Sequence, residues 1–582
     1  MDSIRSLGVM YMPSISTDSA SNISAVKPEV ANLPEAKGDE VSIKGFFGKS
    51  EPKPIPQIDT SETVKITVLP QDPAVASPKT IEMPKALIGD KIEGPKMYSI
   101  ENQNPKAIPD LEGNYLYQHG TKEFDQVNCY ATAYNTFNMM QDNIGHEINW
   151  AFREPKLGVN SHKREGMNAY YARHEASVNF FYFDAPPLGK TVQTSQSTEI
   201  VSHEVGHAIL DAVKPGYMGW DTETMSVHEG FGDVTAMLFT LQDDDMIKKI
   251  IQENGGDMQK PSLLSKVGEE FGIAIAKMDK DPTNDDNDYL RTLLNDFKYV
   301  NPSTLPQHAP DNQLANEVHS FSRIFSAANY DVLSAFYDAN VAKGMEPEAA
   351  LKLAGKDFGG LLMKSIDNCP NHRCKYKDVA LNMLKVDMQL NEGSHMKEME
   401  KTFIDRGILT EGDVSKMKDK AKNMPNVHIS LPMVLNKISS KISDILSKIG
   451  SKIGIGNGTQ FQTENITDNM YGGQTIYLKT SEDMQLKGKE FGNFENCFVA
   501  VDGGISLAFD KDGKLVDYNY DKIDSQKKAD VKSGILSAVQ DGKIKSEDYK
   551  SWGDDDPTKF LGEVKTNKAF GKSYIERIPV IA

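Results

Sequence analysis

The stretch TEIVSHEVGHAILDAV, residues 198–213, restricts the possible folds more than any other part of the chain. His203 and His207 stand four residues apart with Glu204 directly after the first, a His-Glu-x-x-His pattern. On a helix those two histidines share one face, so both rings can reach a single ion while Glu204 sits beside them. Ile200, Val201, Val205, Ala208, Ile209, Ala212 and Val213 give the same helix a buried side, so it belongs inside a substantial core. With 582 residues, 39% apolar and 25% charged, the chain can supply one, and at roughly 150 residues per domain it holds about four domains.

A catalytic zinc takes three protein ligands and keeps a fourth position open. The third ligand is expected in SVHEGFGDVTAMLF, residues 226–239, where Glu229 and Asp233 share a second helical face. Glu229 completes a His203, His207, Glu229 set. Asp233 can accept a proton from the far nitrogen of His203 and so fix its tautomer. His228 points elsewhere and is the poorer ligand. Zinc at such a site activates water and polarises a carbonyl, Glu204 serves as general base, and the resulting oxyanion needs a further donor.

These segments resemble the thermolysin-like zinc metalloproteases, a gluzincin family. HEVGH (203–207) and EGFGD (229–233) match the two zinc motifs in order. NAYY (168–171) resembles the edge strand on which Asn168 and Ala169 hold the substrate backbone. LRTLLNDFKY (290–299) resembles the segment with a substrate-binding arginine, Arg291. EVHSFSRIFSAANYDVL (317–333) resembles the one whose histidine, His319, stabilises the oxyanion. The family's tyrosine between the zinc helices has two candidates here, Tyr217 and Trp220; Tyr217 is taken as substrate-binding. Where the family carries an aspartate five residues before the oxyanion histidine, this chain has Leu314, leaving Asp311 or Glu317 to orient His319. The resemblance spans roughly residues 110–345. It implies an α+β, two-lobed core with zinc in the cleft between lobes, cleaving internal peptide bonds before a bulky apolar residue. The alternatives are a zinc aminopeptidase, for which no amine-anchoring motif precedes HEVGH, and a metal-binding module without catalysis.

The rest of the chain suggests a plan of a flexible leader (1–62), a strand and Pro-rich linker (63–110), an N-terminal catalytic lobe (111–213), a helical catalytic lobe (214–345), a helical accessory region (346–458) and a small α+β domain (459–582). The leader contains Pro52, Pro54 and Pro56, reads as unstructured, and could serve as an address for a delivery or assembly partner. The acidic run DKDPTNDDND (279–288) is a solvated loop or a calcium site. Cys369 and Cys374 in CPNHRC could form a local disulfide, stay as thiols or supply half a metal site. Isoleucines at three- and four-residue steps over 435–453 predict an amphipathic helix, packed on the chain's own accessory domain or on a membrane surface. DKDG (510–513) reads as an ordinary turn.

A net charge of −18 disfavours nucleic acid as a partner and leaves a protein or peptide substrate. Four cysteines exclude a disulfide-framed scaffold. No run of apolar residues is long enough for a transmembrane anchor, and the start lacks the form of a classical signal peptide. Secretion or delivery by another route is the favoured expectation, with a cytoplasmic location the alternative.

Overall fold

The computed structural model describes residues 55, 58–100, 105–278, 288–431, 439–456, 459–547, 549, 556–567 and 571–581. The leader before residue 55 and the acidic run from 279 to 287 therefore lie outside the described residues. The remaining member of that run, Asp288, pairs with Lys266 at 2.5 Å.

The first elements build one wall of the molecule. Hairpin β1 (Thr63–Val68) and β2 (Lys79–Pro84) pairs Ile66 with Ile81. It buries Val64, Ile66 and Val68 on one face, as the alternation in the sequence requires. After the short α1 (Lys85–Ile88) and β3 (Met97–Ser99) comes α2 (Lys122–Ile144), capped by the Thr121 side chain and ended at Gly145, φ 86°. Its Phe124, Cys129, Tyr130, Phe137 and Met140 are buried in the main core. Strands β4 (Leu157–Asn160), β5 (Ala169–Ala172) and β6 (Ser177–Phe180) join β3 in a sheet, with hairpin β7 (Tyr182–Ala185) and β8 (Lys190–Gln193) following. Strands β6 and β7 are separated at Phe181.

The helical half follows: α3 (Thr198–Val213), α4 (Thr222–Thr240), α5 (Asp244–Asn254), β9 (Lys266–Val267), α6 (Glu269–Met278), β10 (Arg291–Thr292), α7 (Val318–Ala342), α8 (Pro347–Asp367), α9 (Tyr376–Leu390), α10 (Met396–Asp405) and α11 (Glu411–Lys422). Helices α3, α4, α7, α8 and α9 contribute to the same apolar core as α2, so the segment after residue 346 is continuous with the helical half. Cys369 and Cys374 are buried thiols in that core. Between them, His372 pairs with Glu464 at 2.9 Å.

The last unit is α12 (Ser439–Ile453) on a sheet of β11 (Gln462–Asp468), β12 (Gln474–Gln485), β13 (Phe498–Phe509), β14 (Leu515–Asp521), β15 (Ile544–Lys545), β16 (Gly562–Asn567) and β17 (Lys572–Arg577), with α13 (Ser525–Gln540) before β15. Ile442, Ile445 and Ile449 of α12 are buried against Ile476, Leu478, Leu507 and Phe509, so the amphipathic face covers the chain's own sheet. Leu435 and Ile438 of that pattern lie outside the described residues. DKDG is a turn: Asp510 Oδ1 accepts from the backbone N–H of Asp512 and Lys514, at 3.0 and 2.9 Å. A final strand, β18 (Val580–Ile581), leaves this sheet and joins the first one, whose order is β18-β5-β6-β4-β3. No helix among the described residues is long and apolar enough to cross a membrane.

Candidate metal centre

Helix α3 begins at Ser197, whose hydroxyl accepts from the Ile200 N–H, and α4 begins at Asp221, which accepts from the Thr224 N–H at 2.8 Å. The two helices meet at glycines. A side-chain carbon on Gly206 would lie 2.9 Å from Thr235 Oγ1, and one on Gly232 would lie 2.6 Å from His203 Nδ1. Gly232 thus leaves the space that the His203 ring fills, bringing the imidazoles of α3 against the carboxylates of α4.

His203, Glu204 and His207 each offer a ligand atom within 4.8 Å of the others, and all three are buried. Glu229 joins them, with Oε2 at 3.4 Å from His203 Nε2 and 3.9 Å from His207 Nε2. Atoms bound about 2.0–2.2 Å from a tetrahedral zinc stand about 3.3–3.6 Å apart; the His203 distance falls in that range and the His207 distance lies a few tenths of an ångström above it. Buried His207 Nε2, Glu204 Oε2 and both oxygens of Glu229 make no hydrogen bond. Orphaned polar atoms in a core cost free energy unless something charged or polar satisfies them. The donor set, two imidazoles and carboxylates, suits zinc.

The electrostatics agree. Burial alone would lower the His203 pKa, but Asp233 and Glu229 outweigh it and raise it to about 9. Burial raises Glu204 to about 8, with His203 opposing. His207 goes the other way, well below its usual value, through burial and then the charge of His203.

Around this cluster the distal ring nitrogens are held. Asp233 Oδ1 lies 3.1 Å from His203 Nδ1 and 3.0 Å from Arg291 Nη2. Burial opposes the charged form of Asp233, yet Arg291 and His203 prevail and hold its pKa at about 2. His207 Nδ1 meets His228 Nδ1 at 2.9 Å. Burial lowers the His228 pKa to about 3, so it faces His207 as a neutral ring. The sequence reading missed this contact. One residue from Glu229 is about 100° round the helix, a direction that looks irrelevant until α3 lies alongside.

His319, at the start of α7, has Nε2 3.4 Å from Glu229 Oε2 and Nδ1 2.8 Å from Glu317 Oε1. Glu317 therefore occupies the orienting position for which Leu314 is unsuited, while it also caps α7 through the N–H of His319 and Ser320. Asn168 lies just before β5, its carbonyl accepting from the Phe181 N–H, and Ala169 pairs with Phe180 inside the sheet. Tyr217 is fully buried with its hydroxyl donated to the Pro370 carbonyl, and it does not line the cavity at Glu229 and His319. Trp220 does line that cavity. A second group of buried acids, Asp72, Glu199 and Glu269, lies at the start of α3.

No protein-family model matches this chain, and no curated protein is similar to it.

Proposed function

We propose that the chain is a zinc-dependent endopeptidase whose ion is held by His203, His207 and Glu229. The observation that carries this reading is the set of orphaned buried atoms, His207 Nε2 and both Glu229 oxygens, converging with His203 Nε2 on one point. When bound there, zinc supplies a Lewis acid that polarises the substrate carbonyl and makes water acidic near neutral pH. Glu204, whose Oε2 makes no hydrogen bond, takes the proton of the attacking water and passes it to the leaving amine. His319, steadied by Glu317, donates from Nε2 to the oxygen that gathers charge. Asp233 keeps His203 oriented, His228 does the same for His207, and Arg291 neutralises Asp233. Asn168, through its side-chain amide, and Ala169, through its backbone carbonyl, hold the backbone of an extended substrate.

The test is Glu204→Gln in the full chain. It keeps one zinc per chain by metal analysis and loses at least 10²-fold in kcat/KM, the low end for one proton-transfer group. Internally quenched peptides with both ends blocked report internal cleavage. A variant that cleaves them as fast as the parent removes Glu204 from the reaction.

A further inference from the structure

The cavity that ends at Glu229 and His319 is walled on its other side by the C-terminal unit. Trp220, Gly534, Ser537, Arg577, Val580 and Ile581 line it, and its volume is about 120 Å³. That holds a handful of waters, whereas sites for drug-sized ligands measure roughly 300–1,000 Å³. An extended polypeptide has no room in this form.

Part of that wall is a strand. β5 pairs with β6 along one edge, and along the other Val580 pairs with Ala172 and Ile581 with Tyr171, antiparallel. The Arg173 N–H donates to the Pro579 carbonyl at 3.0 Å. Val580 is 1% exposed and packs on Tyr170, Ala172 and Phe181; Ile581 turns into the main core. Strand addition of this kind gives main-chain affinity along an edge, with side chains alternating into pockets.

A latch holds the strand there. Trp220, from the loop between α3 and α4, packs among the core residues of the C-terminal unit. Arg577 lies over its ring at 5.4 Å and donates to the Gly219 carbonyl at 3.1 Å. Gly534 and Gly562 leave the space it needs: a side-chain carbon on Gly534 would sit 1.7 Å from the Trp220 carbonyl oxygen. On α13, Ser533 and Ser537 bond Asn316 and Gln307, in the segment that leads into His319. Arg164–Asp556 and Arg373–Asp530 add ion pairs across the same boundary. The boundary thus combines the apolar contacts of Trp220, Val580 and Ile581 with hydrogen bonds and ion pairs, and freeing the strand requires motion between units across it.

We propose that Pro579–Ile581 is a built-in competitor that occupies the edge of β5 at Tyr171 and Ala172, next to Asn168 and Ala169, so that a substrate chain with β-branched or similar aliphatic residues pairs along that edge only after the C-terminal unit moves off. This rests on the peptidase reading for what the site does next, but the occupancy itself is tested by binding. The probe is a fluorescein-labelled ERIPVI peptide, the sequence of residues 576–581, titrated against zinc-loaded full chain carrying Glu204→Gln so that nothing is cleaved. Two independent changes open the latch: Val580→Asp with Ile581→Asp, and Gly534→Leu as a wedge against Trp220. Each is expected to tighten peptide binding at least tenfold over the latched parent. Ala172→Cys with Val580→Cys, a directly opposed pair, closes it by a disulfide. The oxidised form binds no peptide, and reduction restores the parent's binding. If both opened variants, folded by circular dichroism, bind no tighter than the parent, the inference is wrong. With Glu204 restored, the same variants are assayed on quenched peptides. Binding that opens without hydrolysis in any form keeps the competitor strand and overturns the peptidase. Hydrolysis by the parent with no gain on opening, in binding or in rate, keeps the peptidase and overturns the strand's role.

Discussion

His203 has close neighbours on three sides: Asp233 Oδ1 3.1 Å from its distal nitrogen, Glu229 Oε2 3.4 Å from the proximal one, and the bare backbone of Gly232 beside its ring. The glycine is as much a part of the site as the carboxylates. Gly232→Ala puts a methyl carbon 2.6 Å from Nδ1, too close for either the helix backbone or the buried ring to stay where it is. Overpacking of this sort costs about 1–3 kcal/mol in stability. Displacing the ring should weaken zinc about 10–100-fold, the range for disturbing a ligand's supporting contacts. Competition against a chromophoric chelator measures it; unchanged affinity would show that the ring has room to spare. Sequence alone pointed to His203, His207, Glu229 and Asp233, because i, i+4 spacing fixes a face within one helix. It could not supply His228 against His207, which depends on how α3 and α4 are laid side by side.

At the level of elements, the first turn of α3 is tied down by acids. Glu199 accepts from Gln71 Nε2 and the Gly268 N–H, and Asp72 accepts from the Glu270 N–H. This joins the chain after β1 to the starts of α3 and α6. Burial, then Glu269, raise the Asp72 pKa from 3.8 to about 7. A carboxyl whose pKa rises on folding carries a penalty that is absent below pH 4, grows between pH 4 and 7, and is complete above 7. Asp72→Asn keeps the acceptor oxygen and removes the charge. Without added calcium, it should raise unfolding free energy at pH 8 by an amount on the order of 2–4 kcal/mol, shrinking towards zero at pH 4. Urea titrations at both pH values check this, and an equal effect at both contradicts it. The cluster was illegible in the sequence because its members sit 127 and 70 residues apart, as 199 − 72 and 269 − 199, and no period links them. Helices α3 and α4, by contrast, fall within a few residues of the two helical stretches, 198–213 and 226–239, that the sequence marks.

Across the whole molecule, the C-terminal unit and the first sheet exchange elements. The separate character of residues 459–581 is visible in their own sheet and core, but β18 completes the first sheet and Trp220 is packed into the C-terminal core. Neither is readable locally, since two residues of strand carry no pattern and a tryptophan in a loop has no declared partner. The proposed chemistry requires an ion between two rings of α3 and a carboxylate of α4. Anomalous diffraction at the zinc edge from crystals of the full chain tests that directly. The predicted result is one peak about 2.0–2.2 Å from His203 Nε2, His207 Nε2 and a Glu229 oxygen, lost in His207→Ala. Zinc-saturated crystals with no peak among those three side chains would contradict it.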